Sequence, residues 1–271
     1  MKTISRAFVA ICLTGIALAG ASVGTRADDV TLDPNIVRDV VIANRILANE
    51  GVVDAFGHVS IRDPRDPNRY YQTRSIAPFL ATEKDVILLD LDGKPVDSKV
   101  KCGCYLERFI HGEIYKLRSD VNAVIHTHSA TVVPFSVVPK SPLKPILHSA
   151  AFLPPEGTPV FDSHVGFGAT NMLIQNQAMG KALAQALGKS SVVLIRGHGD
   201  AVVGATIQTA VWRAYYTEVD ARMMIAAKTL GEPIVTLYAD EAAITNEEMQ
   251  SSVSITRAWD LWRLRLPKQA D

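Results

Sequence analysis

The residues best equipped for chemistry lie in Ala123-Val124-Ile125-His126-Thr127-His128-Ser129. The segment reads as a strand: three apolar residues, two of them β-branched, then alternation. Successive side chains of a strand point to opposite faces, so His126 and His128, two apart, point the same way. Two neutral imidazoles side by side on a rigid strand are a natural pair of metal ligands. Alone the pair is a weak signal, because His-x-His also arises by chance. A third imidazole comes from Arg196-Gly197-His198-Gly199, where the buried strand Ser191–Ile195 leaves the sheet. The flanking glycines let the backbone turn tightly and approach a ligand, and open α/β sheets place their sites at strand ends. Three protein ligands with one open position describe a catalytic divalent-metal site. Zinc suits an imidazole-rich site best, with manganese, cobalt or iron as alternatives. Glu113, on the helix before the His-x-His strand, is the candidate carboxylate, as ligand, as base, or as both in turn.

The elements that must position these groups are legible in part. Asp33-Pro34 opens a first helix that Gly51 ends. Strands are expected at 56–62, 70–74, 86–91, 123–129 and 191–195, and helices at 106–117, 169–187 and 206–230, with a short helix near 130–138. The proline-rich stretch 139–164 reads as irregular, as suits loops around a site, and 240–266 as helical. There is no G-x-G-x-x-G, no P-loop and no internal repeat. The order is mixed rather than regular βαβ, so a plain Rossmann fold is not expected, and 28–271 reads as one α/β domain.

The chain has 271 residues, with Lys plus Arg and Asp plus Glu at 28 each. A zero net charge gives no reason to expect nucleic acid or an anionic membrane surface as a partner. Lys2 and Arg6 precede an uncharged apolar run from Ala7 to Ala21, and Thr25-Arg26-Ala27 offers a cleavage site. Residues 1–27 therefore read as a secretory signal peptide, the mature protein as exported, to a bacterial periplasm, without stable membrane association after cleavage. Of the cysteines beyond that segment, Cys102 and Cys104 flank Gly103. They read as incidental or as a labile disulfide, since no second pair completes a thiolate site.

Four blocks in order carry a family resemblance: Gly57-His58-Val59-Ser60, His111-Gly112-Glu113-Ile114-Tyr115, Val124 to Ser129, and Leu194 to Gly199. Together they resemble the class II aldolase/adducin family, from about Asp33 to Leu230. The resemblance implies an α/β/α sandwich around a central, largely antiparallel sheet, assembled as a homo-oligomer, commonly a tetramer. It implies one divalent ion per subunit on His126, His128 and His198, with Glu113 as acid/base residue and possible fourth ligand, and Thr127 and Ser129 as positioning neighbours. A complete metal set favours an enzyme over the non-catalytic adducin branch.

Where sugar-phosphate members carry Gly-Asn-x-Ser, this chain has His58, and the small hydroxyl and glycine residues of a phosphate nest are missing. A planar guanidinium at Arg74 suits a carboxylate, and His58, Ser60 and His148 can line the pocket with it. The chain thus resembles the family's decarboxylases of hydroxylated aromatic or ring-opened carboxylic acids. The expected chemistry is carbon–carbon cleavage through a metal-stabilised enolate. An aldolase of a non-phosphorylated hydroxy-oxo acid or sugar is the alternative within the class. A non-catalytic scaffold or an exported metal-binding protein is the alternative outside it.

Overall fold

The structure, a computed structural model, describes residues 30–231 and 233–267. The signal-peptide segment lies outside the described residues. Helices α1 (Pro34–Asn49), α2 (Arg108–Leu117), α3 (Val133–Val137), α4 (Ser163–Phe167), α5 (Gln177–Leu187), α6 (Ile207–Leu230), α7 (Ala239–Met249) and α8 (Ser252–Arg265) surround one sheet. Its strands are β1 (His58–Arg62), β2 (Arg69–Thr73), β3 (Val86–Asp90), β4 (Ala123–Thr127), β5 (Val160–Phe161), β6 (Val192–Ile195) and β7 (Gly199–Gly204). The order across the sheet is β3-β2-β1-β4-β7-β6-β5. Every pairing is antiparallel except β5 with β6.

Period-two alternation divides the central strands between two cores. Ala123 and Ile125 of β4, Val192 and Leu194 of β6 and Val202 of β7 join residues of α1, α6 and α8 on one face. Val124, Val193, Ile195, Ala201 and Val203 join residues of α2 and α5 on the other. Such a sheet, covered on both faces, is the α/β sandwich the sequence led us to expect. Each buried Val, Leu or Ile contributes roughly 1.5–3 kcal/mol against exposure.

Several elements depart from expectation. The helix expected at 169–187 begins only at Gln177, because Asn176 caps it by accepting from Met179 N–H at 2.9 Å. The helical stretch 240–266 is two helices that break at Gln250-Ser251. Two strands are unforeseen: β5, within the stretch expected to be irregular, and β7, fully buried and central. The Gly-Asp-Ala-Val-Val-Gly sequence of β7 carries little β-propensity at its ends, and the ladder to β4 and β6 supplies what composition does not. His198 therefore sits on the tight turn of a β6–β7 hairpin.

Candidate metal centre and its pocket

Strand register puts the polar groups on one face. His58 of β1 lies opposite His126 of β4, and Ser60 opposite Val124, all on the side that α2 covers. His126 is wholly buried, and His128 follows just beyond the end of β4. The β6–β7 turn brings in His198. Gly197 there has φ +63°, the left-handed region, and a Cβ on Gly199 would stand 1.9 Å from the Thr127 carbonyl oxygen. Only glycine at 199 lets the hairpin approach β4 this closely.

The three rings converge. His128 Nε2 lies 3.0 Å from Nε2 of His126 and 3.0 Å from Nε2 of His198. Glu107 closes the group, with Oε2 3.4 Å from both His126 Nε2 and His198 Nε2. All four ligand atoms lie within 4.8 Å of one another. A tetrahedral ion with bonds near 2.05 Å has ligand–ligand edges of about 3.3 Å, so the set is of the right size.

Proton placement agrees. His126 Nδ1 lies 2.7 Å from the Asp200 carbonyl and His198 Nδ1 3.1 Å from that of Met172. A carbonyl only accepts, so each Nδ1 carries a hydrogen and each ring turns its Nε2 to the common point, where a bound ion would take the place of a proton. The Asp200 side chain accepts from Thr127 Oγ1 at 2.6 Å, and burial pushes its carboxyl up to about 6. Ser129 and Thr131 both donate to Glu218 of α6, which ties down the loop after His128. The residues present fit a divalent ion held by three imidazoles and a carboxylate.

That carboxylate corrects the expectation for Glu113. Glu113 follows Glu107 by six residues, about 240° around a helix beyond whole turns, so the two cannot face one way. Glu113 pairs with Lys116 at 2.5 Å and packs against Gly180 of α5. Glu107 stands at the N-cap of α2, where the helix N-terminus favours negative charge, and its Oε1 accepts from Ile174 N–H at 2.8 Å. Burial alone would raise its pKa. With the His126 and His198 rings protonated in place of an ion, their bonds and charges outweigh burial and hold it well below the carboxylate range. A signal existed in the sequence: Glu107 and His111, four apart, share a helix face, and that face meets the sheet.

A pocket of about 580 Å³ opens onto the cluster. Its walls are Phe56, Ile76, Ala77, Leu106 and Leu173, with His58, Ser75 and Tyr105 among the polar groups beside Glu107, His128 and His198. Among the described residues no Lys or Arg lines it. Tyr105 and Ser75 are held across the wall: Tyr105 O–H donates to the Ile76 carbonyl at 2.6 Å and Ser75 N–H to that of Gly103 at 2.7 Å. Gly103 lies between Cys102 and Cys104, which are joined as a disulfide.

Of the expected pocket residues, His58 lines it and three others do not. Arg74 is turned onto Asp85, Nε to Oδ1 at 2.6 Å, with its side chain 51% exposed. A carboxylate already occupies the fork meant for substrate. His148 is an exposed residue of a short 3-10 turn away from the pocket wall. Ser60 is fully buried behind His58, bonded to His111 Nδ1 at 2.6 Å and Tyr115 Oη at 2.7 Å. Tyr105, Glu107 and His111 were not expected as site residues.

An α/β sandwich with a His₃–carboxylate cluster at the strand ends, beside a largely apolar pocket, is the class of protein whose site could hold one divalent ion beside a small organic ligand. Residues 38–225 match the model of the class II aldolase and adducin N-terminal domain, and the chain belongs to that family. It is 31% identical over 247 residues to the decarboxylase tropJ of Talaromyces stipitatus, covering 83% of this chain and 92% of that protein. A 3,4-dihydroxyphthalate decarboxylase of Arthrobacter keyseri is 28% identical over 228 residues, with 81% and 89% covered. Among solved structures, an aldolase II superfamily protein from Pseudomonas syringae superposes with a TM-score of 0.72 at 22% identity, covering 87% of this chain and 94% of that one. The family contains decarboxylases and aldolases, both carbon–carbon lyases.

Proposed function

We propose that this protein is a divalent-metal-dependent decarboxylase of a hydroxylated aromatic or ring-opened carboxylic acid. The observation that carries this is the pairing of the Glu107/His126/His128/His198 cluster with an apolar pocket that presents no Lys or Arg. A sugar phosphate brings two negative charges and little apolar surface, and this wall offers it neither cation nor phosphate nest. An aromatic acid brings a flat apolar ring, which Phe56, Ile76 and Leu173 can cover. The relatives named decarboxylases agree with this choice.

A zinc or similar ion held by these four residues would supply Lewis-acid stabilisation for the electrons left when the carbon–carbon bond breaks. The chain's own groups do the rest. The apolar wall excludes water and holds the ring, and His58 offers a hydrogen bond to a substrate oxygen. Glu107, ionised, is the carboxylate that would hold the ion at the reacting face, and the carbanion carbon would take its proton from solvent. Assembly as a homo-oligomer and export to a periplasm belong to the same proposal. The first rests on the family and the second on residues 2–27; light scattering and cell fractionation test them.

The test is a panel of dihydroxyphthalates, hydroxybenzoates and ring-opened hydroxy acids, run with zinc-, manganese- and cobalt-loaded protein and read by CO₂ release, beside fuculose 1-phosphate read by aldehyde release. We expect CO₂ from at least one acid and none after chelation. Aldehyde from the sugar phosphate with no CO₂ from any acid would overturn the decarboxylase reading.

A further inference from the structure

Four buried side chains behind the pocket form a continuous chain of hydrogen bonds with no charged member. His58 Nδ1 lies 2.6 Å from His111 Nε2, His111 Nδ1 lies 2.6 Å from Ser60 Oγ, and Ser60 Oγ lies 2.7 Å from Tyr115 Oη. Both rings are buried, and among the described residues neither has a carboxylate within hydrogen-bond distance, so a charge on either would be buried unpaired. Both rings are therefore neutral and carry one hydrogen each.

Counting hydrogens then couples the rings. The His58–His111 contact holds one hydrogen, on one nitrogen or the other. If it sits on His111 Nε2, then His111 Nδ1 is bare, and His58, whose Nδ1 accepts, carries its own hydrogen on Nε2. If it sits on His58 Nδ1, both rings are Nδ1–H. The two rings must share a tautomer.

The far end chooses which. The Tyr115 hydroxyl is buried, and Ser60 Oγ is the side-chain atom within hydrogen-bond reach of it. Its own hydrogen then has Ser60 Oγ as acceptor. Ser60 must donate onward to His111 Nδ1, and His111 Nε2–H to His58 Nδ1. In the opposite direction the buried phenol hydrogen is left without an acceptor, at a cost of about 1–3 kcal/mol.

We propose that Tyr115, Ser60 and His111 are positioning residues forming a one-way relay that fixes His58 as a neutral Nε2–H donor facing the pocket, toward an anionic oxygen of the substrate. His58 lines the pocket, and among the described residues its Nε2 has no hydrogen-bond partner. This explains how a wall without Lys or Arg can receive an acid while Arg74 is engaged by Asp85. A neutral donor orients a carboxylate or phenolate oxygen without the electrostatic grip that would oppose loss of the carboxyl charge as CO₂. The ligand half of this proposal rests on the acid-substrate reading above; the tautomer half does not.

The experiment is long-range ¹H–¹⁵N correlation NMR of the zinc-loaded full chain labelled with ¹⁵N-histidine, assigned with His58→Gln and His111→Gln. We expect both rings as neutral Nε2–H tautomers at pH 7. His58 as Nδ1–H, a charged ring, or opposite tautomers on the two rings would each overturn the relay. In Tyr115→Phe, which keeps the ring beneath the Arg62 guanidinium 4.5 Å away, the Nδ1–H form should appear on both rings together. Unchanged tautomers there would remove Tyr115 from the role. With an acid the panel shows to be turned over, His58→Phe should raise KM about tenfold, one hydrogen bond's worth, with zinc content unchanged and partial recovery in His58→Gln. An unchanged KM in His58→Phe would overturn the donor role. If no acid is turned over, the decarboxylase reading fails, and the tautomers still decide the relay.

Discussion

At the scale of residues, the two glutamates of the α2 region separate function from structure. Glu107 meets two imidazoles at 3.4 Å, whereas Glu113 meets Lys116 and the backbone of α5. Glu107→Gln should lower metal affinity by tenfold or more and abolish carbon–carbon cleavage, because the amide does not supply the negative charge that would hold the ion. Glu113→Gln should keep the metal and most of the activity and cost about 1 kcal/mol of stability, from the half-buried pair with Lys116. Metal analysis and urea melts of the two variants check both outcomes. Activity lost in Glu113→Gln with metal retained would reverse the assignment. The imidazoles were easier to find in the sequence than the carboxylate. A His-x-His strand and a His between glycines advertise themselves, while one helical glutamate looks like another until it is known which helix face meets the sheet.

At the scale of elements, the site depends on close backbone approach. The β6–β7 hairpin delivers His198, and its Gly199 sits where a Cβ would strike the Thr127 carbonyl at 1.9 Å. Gly199→Ala should therefore cost about 3 kcal/mol and displace His198, so that thermal stability and metal content fall together. A variant that lost stability but kept full metal would show that the hairpin can shift without moving the ligand. β7 illustrates why some elements were illegible. Its pairing between β4 and β6 is non-local, and nothing in Gly-Asp-Ala-Val-Val-Gly announces a central strand. The shortened start of α5 is the converse, since Asn176 is a cap signal visible in the sequence once the helix is allowed to begin there.

At the scale of the whole molecule, two buried aspartates give stability a pH dependence. Asp220 of α6 accepts from the amides of Ile146 and Leu147 at 2.9 and 3.0 Å, and burial pushes its pKa up to about 7. Burial likewise takes Asp200 up to about 6. A carboxyl whose folded pKa is raised holds its proton where the unfolded chain has released it. Stability should therefore fall as pH rises from about 4 to about 7 and level off above. Asp220→Asn should flatten that slope and stabilise the protein by about 1–2 kcal/mol at pH 8, as read by urea denaturation across pH. A slope unchanged in the variant would assign the effect elsewhere. The two-sided core and the sandwich were legible because alternation along β4 and β6 is unbroken. Arg74 misled because its partner, Asp85, lies eleven residues away across the β2–β3 pair and has no marker in local sequence.

The turn that carries His198 has a further consequence for anyone rebuilding this protein. Hairpin tips are ordinarily the first place to graft an epitope, a tag or a new loop, because extra residues there spill into solvent. Here the tip is the ligand, and its length is fixed by the distance from Ile195 to Gly199 across the ladder. Residues added at this tip would pull an imidazole out of the cluster while leaving both strands intact. This chain therefore invites insertion at the Pro64–Asn68 turn, at the far end of β1, and forbids it at the turn after β6.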